Sequence, residues 1–136
     1  MIAVALGAVM AAPFAMAEAQ LPQPLTEAPG DAARGQEILR DGSKATCLIC
    51  HSISALPDRD QGVLGPSLDG VGARYSAGEL RARLVDARVT NPETIMPPYF
   101  SQEGLFRVGQ RWQGTTIYTA QEVEDVLAYL LTLKAQ

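Results

Sequence analysis

The sequence Cys47-Leu48-Ile49-Cys50-His51 decides how the rest of the chain is interpreted. It has the form C-x-x-C-H, the attachment signature of c-type haem. In such a motif the two thiols add to the haem vinyl groups, and the two residues between them bring both sulfurs to one edge of the porphyrin. The adjacent histidine then lies next to the iron as the proximal ligand. The motif therefore predicts covalent haem held by Cys47, Cys50 and His51.

Two other interpretations of a C-x-x-C pair are a zinc site and thiol–disulfide exchange. Cys47 and Cys50 are the only cysteines and His51 is the only histidine, whereas a structural zinc ion usually takes four such ligands. A thioredoxin-type pair is expected within a βαβ pattern, and the sequence around the motif shows none. The sequence therefore favours haem over both alternatives.

A second axial ligand can be sought by elimination. The only histidine, His51, is already assigned as the proximal ligand. Three of the four methionines lie in the first 17 residues, which leaves Met96, 45 residues after His51 (96 − 51). The two prolines that follow Met96 resist helix formation, which suits a thioether held on a rigid loop. A core methionine that fills a gap is the alternative. Histidine–methionine ligation would favour a raised reduction potential and a closed, six-coordinate iron, which suits an electron carrier.

The proximal histidine ring also needs a hydrogen-bond acceptor for its second nitrogen, because that bond fixes the tautomer and strengthens the ligand. Gly65-Pro66 follows His51 by 15 residues (66 − 51). A backbone carbonyl near Pro66 is therefore the predicted acceptor.

Length and charge limit the possible classes of protein. A chain of 136 residues has room for one domain. A net charge of −4 and a pI of about 4.9 argue against nucleic-acid binding. We therefore expect a small single-domain protein whose core is partly porphyrin.

The N-terminal region predicts export. Residues 1–17 are almost wholly apolar and small, and Ala15-Met16-Ala17 matches a signal-peptide cleavage pattern. A signal peptide normally begins with a positively charged region, whereas no Lys or Arg precedes Arg34. A short membrane anchor is the alternative interpretation of this apolar segment. We predict a cleaved signal peptide over 1–17, an extended, proline-containing leader over 18–30, a domain over 31–136, and a periplasmic protein without stable membrane insertion.

Capping patterns predict three helices. Asp31 is a good N-cap for a helix that ends near Arg40, and capping boxes at 76–79 and 119–122 open two more, the first of them running to about Arg88. Gly35 in the first helix is explained either by the close approach of another helix or as a tolerated surface glycine. The apolar positions predicted to be buried are Leu80, Leu84, Ala87, Val123, Val126, Leu127, Leu130 and Leu131.

Arginines are concentrated around the middle helix, at Arg74, Arg81, Arg83 and Arg88. A solvated helix face is the favoured interpretation. The alternatives are a docking face for an acidic partner and a haem propionate contact from Arg74. The single tryptophan, Trp112, either donates its indole N–H to a propionate or belongs to the core.

The order of these parts resembles a class I cytochrome c over about residues 31–136. A narrower resemblance is to the SoxX family, the small monohaem subunits of SoxAX thiosulfate-oxidising complexes. The segments that carry it are Gly65–Tyr75, Val85–Arg88, Asn91–Phe100, Leu105–Val108 and Thr119–Leu133.

The resemblance implies an all-α class I cytochrome c fold, with about three to four helices around one covalent haem c. It implies that Cys47 and Cys50 are the thioether residues and that His51 and Met96 are the axial iron ligands. It also implies a SoxA-like haem subunit as partner, oxidative coupling of thiosulfate to a cysteine of the SoxYZ carrier, and a downstream acceptor cytochrome.

The same resemblance makes the chain a redox subunit with no catalytic residue of its own. The sequence likewise supplies no nucleophile–base pair and no phosphate loop. A freely diffusing periplasmic cytochrome c is the alternative, since it would share the fold and the haem site and differ in its partner.

Overall fold

A computed structural model describes residues 19–44 and 46–134, and these residues contain four α-helices. These are α1 (Ala32–Arg40), α2 (Val71–Arg74), α3 (Ala77–Asp86) and α4 (Ala120–Thr132). Three-residue 3-10 turns lie at Cys47–Ile49, Ala87–Val89 and Gln110–Trp112, and the described residues contain no strand. The predicted signal peptide over 1–17 lies outside the described residues. Within them, no helix has the length and apolar character needed to cross a membrane.

The predicted helix starts are confirmed by their caps. The Asp31 side chain accepts hydrogen bonds from the first-turn amides of α1, and both capping boxes form at the starts of α3 and α4. The end of α3 differs from the prediction, because the helix stops at Asp86 instead of near Arg88. Asp86 adopts an extended backbone (φ −159°, ψ 100°), and its carboxylate accepts from the Arg88 amide. The last predicted helical residues therefore form a separate, capped 3-10 turn.

Helices α1 and α4 cross closely, and Gly35 makes the crossing possible. A Cβ at this position would lie 2.5 Å from the Asp125 carbonyl carbon and 2.9 Å from the Val126 amide nitrogen. Beside the crossing, Leu39, Val123 and Val126 are fully buried. Gly35 is therefore a packing glycine, which confirms the interpretation that another helix approaches closely at this position.

Replacing Gly35 with alanine should destabilise the fold although alanine is the better helix former. The gain in helix propensity is about 1 kcal/mol, but the new methyl group would overlap the α4 backbone, and overpacking costs about 1–3 kcal/mol or more when backbones must shift. We expect a lower urea midpoint for Gly35→Ala at equal haem content. Gly42→Ala is the matched control, because a Cβ at Gly42 would meet nothing within 4 Å. Equal midpoints for the two variants would contradict this account.

The leader is part of the folded unit, and a buried ion pair holds it in place. Arg81 on α3 is 5% exposed and donates through Nε and Nη2 to the Glu124 carboxylate on α4, at 2.7 and 3.0 Å. Arg81 Nη1 also donates to the Leu21 carbonyl oxygen (2.6 Å), and Glu124 Oε1 accepts from the Leu25 amide (2.9 Å). The Leu21 amide completes the attachment by donating to the Gly78 carbonyl. The prediction that Arg81 belongs to a solvated helix face is therefore wrong.

Candidate haem site

One cavity brings together the four residues that the sequence singled out. Its volume is about 450 Å³, and its lining includes Cys47, Cys50, His51 and Met96. The first three lie on one short segment, whereas Met96 comes from a loop 45 residues further along (96 − 51). The fold therefore places a thioether at the same cavity as the C-x-x-C-H motif.

The cysteine segment is held as a single tight turn. The Cys50 and His51 amides both donate to the Cys47 carbonyl oxygen, at 3.1 and 2.9 Å. The preceding Thr46 caps this turn, and its hydroxyl donates to the Leu39 carbonyl at the end of α1 (2.6 Å). The motif is thus attached directly to the α1–α4 pair.

His51 is oriented by the loop that follows it. Its Nδ1 lies 2.7 Å from the Pro66 carbonyl oxygen, which can only accept, so Nδ1 carries the proton and Nε2 is left with its lone pair for a metal. A Cβ at Gly65 would lie 2.6 Å from Nδ1 and 2.9 Å from Nε2. The prediction of a carbonyl acceptor near Pro66 is confirmed, and glycine at position 65 is what allows the ring to occupy this place.

The methionine loop is anchored on α3. The Tyr99 and Phe100 amides donate to the Leu84 and Val85 carbonyls, at 3.1 and 3.2 Å. The Met96 amide donates to the Thr94 hydroxyl (3.2 Å), and the Met96 side chain packs partly buried against the core. The loop thus presents Met96 to the cavity from a fixed backbone.

Two stacked tyrosines lie beside Cys47. The Tyr99 and Tyr118 rings are 4.5 Å apart between centroids, and both residues are buried. Burial raises the pKa of the Cys47 thiol to about 11, although hydrogen bonds with the two tyrosines act in the opposite direction. Thiol–disulfide exchange needs a thiolate at neutral pH, so this environment disfavours Cys47 as an attacking thiol.

The two residues suggested from the sequence for propionate contacts, Arg74 and Trp112, lie outside the cavity lining. Arg74 donates to the Asp69 and Ser67 carbonyls and so braces the loop after Pro66. Trp112 is half-buried under the Arg111 guanidinium (4.6 Å to the ring centroid). Neither Arg74 nor Trp112 lines the cavity, whereas Arg83 does. The sequence analysis named Arg83 only as part of a solvated helix face, although its position three residues after the buried Leu80 places it at the edge of the apolar stripe of α3.

The comparisons with known proteins agree with this geometry. The family model for cytochrome c matches residues 32–134. The chain belongs to the cytochrome c family. This cytochrome thereby has an electron-transfer role, and the all-α class I fold predicted from the sequence is confirmed.

Among solved structures, a chain of the crystal structure of SoxXA from P. pantotrophus matches this cytochrome with a TM-score of 0.79. The two are 36% identical, and the match covers 86% of this chain and 91% of the other. The search of curated protein sequences returned no match. The structural match makes this cytochrome SoxX-like, as the sequence resemblance implied.

The cytochrome c family and the SoxX relationship indicate one covalently bound haem c. The residues present fit such a group. The cavity offers two cysteines on one turn, a histidine with a free Nε2 lone pair and a methionine thioether, and Gly65 leaves room for the histidine ring.

Proposed function

We propose that this cytochrome is the electron-transfer subunit of a SoxAX-type complex, in which Cys47 and Cys50 form the thioethers and His51 and Met96 are the axial ligands. When bound, haem c supplies one-electron redox chemistry. The protein contributes the ligands, a fixed His51 tautomer and a cavity wall that limits water. With both axial positions filled, this chain would pass electrons without binding substrate, so it has no catalytic residue of its own.

The proposed reaction takes place on partner proteins. Thiosulfate is joined to a cysteine thiol of the SoxYZ carrier with loss of one proton and two electrons. A SoxA-like haem subunit, which forms a heterodimer with this chain, carries out that coupling. This cytochrome receives the electrons and delivers them singly to an external acceptor cytochrome.

The location follows from the same proposal. Residues 1–17 would be a signal peptide that is removed on export, residues 18–30 the leader, and residues 31–136 the cytochrome domain in the periplasm. The described part of the leader supports inclusion of this segment in the mature protein, because it supplies hydrogen bonds to the buried Arg81–Glu124 pair.

The single observation that carries the proposal is the match to the SoxXA structure, at 36% identity over nearly the whole of both chains. A freely diffusing cytochrome c would share the fold and the ligand set, so the haem site alone does not separate the two functions. The presence of a stable partner does.

The test is affinity purification of the tagged cytochrome from its native host growing on thiosulfate, with haem maturation intact. We expect a second haem protein in equal amount, which mass spectrometry identifies as SoxA-like and which stays bound at both low and high salt. A tagged soluble cytochrome c of the same host is the control for non-specific capture. Recovery of a lone monohaem protein even at low salt would contradict the proposal and favour the diffusing carrier.

A further inference from the structure

The cavity contains one arginine, Arg83, among its described lining residues. The other acidic or basic side chains in that lining are His51 and Glu93, and Cys47, Cys50 and Tyr99 are neutral at pH 7 unless perturbed. Glu93 is exposed on the rim, whereas Arg83 is half-buried on α3. A positive charge is therefore built into the wall of an otherwise mostly apolar and neutral site.

Arg83 is held in this place by its neighbours. Its guanidinium lies over the Tyr75 ring, 4.2 Å from the centroid, and its Nη1 donates to the Glu79 carbonyl oxygen (3.1 Å). The flanking Leu80 and Leu84 are buried at 3% exposure and fix the helix face. Such a side chain loses little further conformational entropy when it binds an anion.

The neighbouring arginines make their contacts away from the cavity. Arg81 is paired with Glu124, Arg88 with Asp86, and Arg74 with two backbone carbonyls. None of these three lines the cavity. Arg83 is thus the arginine of this basic region that faces the cofactor site.

Haem c carries two propionate carboxylates. A carboxylate removed from water is costly unless a cation or hydrogen-bond donors compensate it, and a guanidinium matches a carboxylate with paired, charge-assisted hydrogen bonds. The Asn91 and Thr94 side chains that also line this cavity are neutral, and Glu93 would repel an anion. Arg83 is therefore the guanidinium in the described lining that can compensate the charge of a carboxylate.

We propose that Arg83 binds a propionate of haem c and, by compensating its charge, raises the reduction potential of this cytochrome. The inference rests on haem c and on its proposed attachment at Cys47 and Cys50, and it does not depend on the partner subunit. The ferric site carries one more positive charge than the ferrous site, so an uncompensated carboxylate nearby favours the ferric state. Loss of the Arg83 charge should therefore lower the potential.

The experiment compares midpoint potentials of the haem-loaded wild type with those of Arg83→Gln, Arg83→Lys and Arg59→Gln. The control Arg59→Gln removes the same charge from an exposed residue outside the cavity lining. A pyridine haemochrome spectrum and far-ultraviolet circular dichroism establish that each variant carries one haem and is folded. Redox-difference infrared spectra report the propionate carboxylate bands.

We expect Arg83→Gln to lower the midpoint and to shift a propionate band, Arg83→Lys to lie between it and the wild type, and Arg59→Gln to match the wild type. An unchanged midpoint in Arg83→Gln would overturn the proposal. So would equal decreases in Arg83→Gln and Arg59→Gln, or a lysine variant as low as the glutamine variant. Absence of covalent haem from the wild type would show that the proposed attachment at Cys47 and Cys50 is wrong. Absence of a SoxA-like partner would contradict the proposed function and leave the assignment of Arg83 unchanged.

Discussion

Replacement of Met96 with alanine should leave haem covalently attached, lower its reduction potential and open the iron to carbon monoxide. The thioethers proposed at Cys47 and Cys50 would not depend on the methionine loop, which is anchored separately on α3. Loss of the thioether removes a ligand that favours the ferrous state. Axial ligands set haem potentials over roughly 0.8 V, so we expect a decrease on the order of 0.1 V or more. Redox titration and the spectrum of the reduced protein under carbon monoxide measure both effects.

The matched control for Met96→Ala is Ile95→Ala. Ile95 lies on the same loop, lines the same cavity and is 78% exposed, so its truncation perturbs the loop without removing a thioether. We expect an Ile95→Ala variant with the wild-type potential and no carbon monoxide binding. Carbon monoxide binding by the reduced wild type at neutral pH, or a Met96→Ala variant with an unchanged spectrum and potential, would show that the axial assignment is wrong.

The largest expected effect on stability comes from breaking the buried ion pair. In Glu124→Gln the Arg81 guanidinium stays buried without its counter-charge, and removal of one member of a buried pair costs about 3–5 kcal/mol. The double variant Arg81→Met/Glu124→Leu removes both charges and should recover most of that loss. Urea unfolding of the haem-loaded proteins measures the difference. If the double variant were as unstable as Glu124→Gln, the lost stability would come from packing or from the leader contacts and not from the unpaired charge.

The same pair predicts a pH dependence. Burial raises the pKa of Glu124, but hydrogen bonds from Arg81 and from the Leu25 amide outweigh it, and the net pKa is lowered. A carboxyl whose pKa is lower in the folded state contributes stability above its unfolded pKa of about 4.3. That contribution is lost as the pH falls through the folded pKa. The stability difference between the wild type and Glu124→Gln should therefore narrow below roughly pH 4, and a constant difference from pH 7 to pH 3 would contradict this assignment.

Local signals in the sequence predicted the parts of this fold that depend on a few neighbouring residues. Asp31 and the two capping boxes fix helix starts through bonds that span two or three residues. The Pro66 carbonyl was predictable because a ligating histidine needs an acceptor for its second ring nitrogen and a Gly-Pro turn follows His51 by 15 residues (66 − 51).

The parts that sequence reasoning missed depend on tertiary partners. Arg81 and Arg83 are two residues apart on one helix, yet the first is buried against Glu124, 43 residues away, and the second lines the cavity. Both side chains carry the same charge, and the packing of α3 on α4 decides that Arg81 is the one paired with Glu124. The stacking of Tyr99 on Tyr118 is likewise set by a backbone bond from Tyr118 to Tyr99, which joins two loops that sequence patterns did not pair.

The contacts of the leader limit how far the proposed signal-peptide cleavage could extend without loss of stability. The Leu21 carbonyl and the Leu25 amide supply hydrogen bonds to charges that are otherwise screened from water. Proteolysis before residue 20 would preserve both groups, whereas trimming past Leu25 would remove both and leave the ion pair open to solvent at one side. The position of the new N-terminus thus affects the stability of the fold as well as the length of the chain. An affinity tag should therefore not disturb the contacts that residues 21–25 make with α3 and α4.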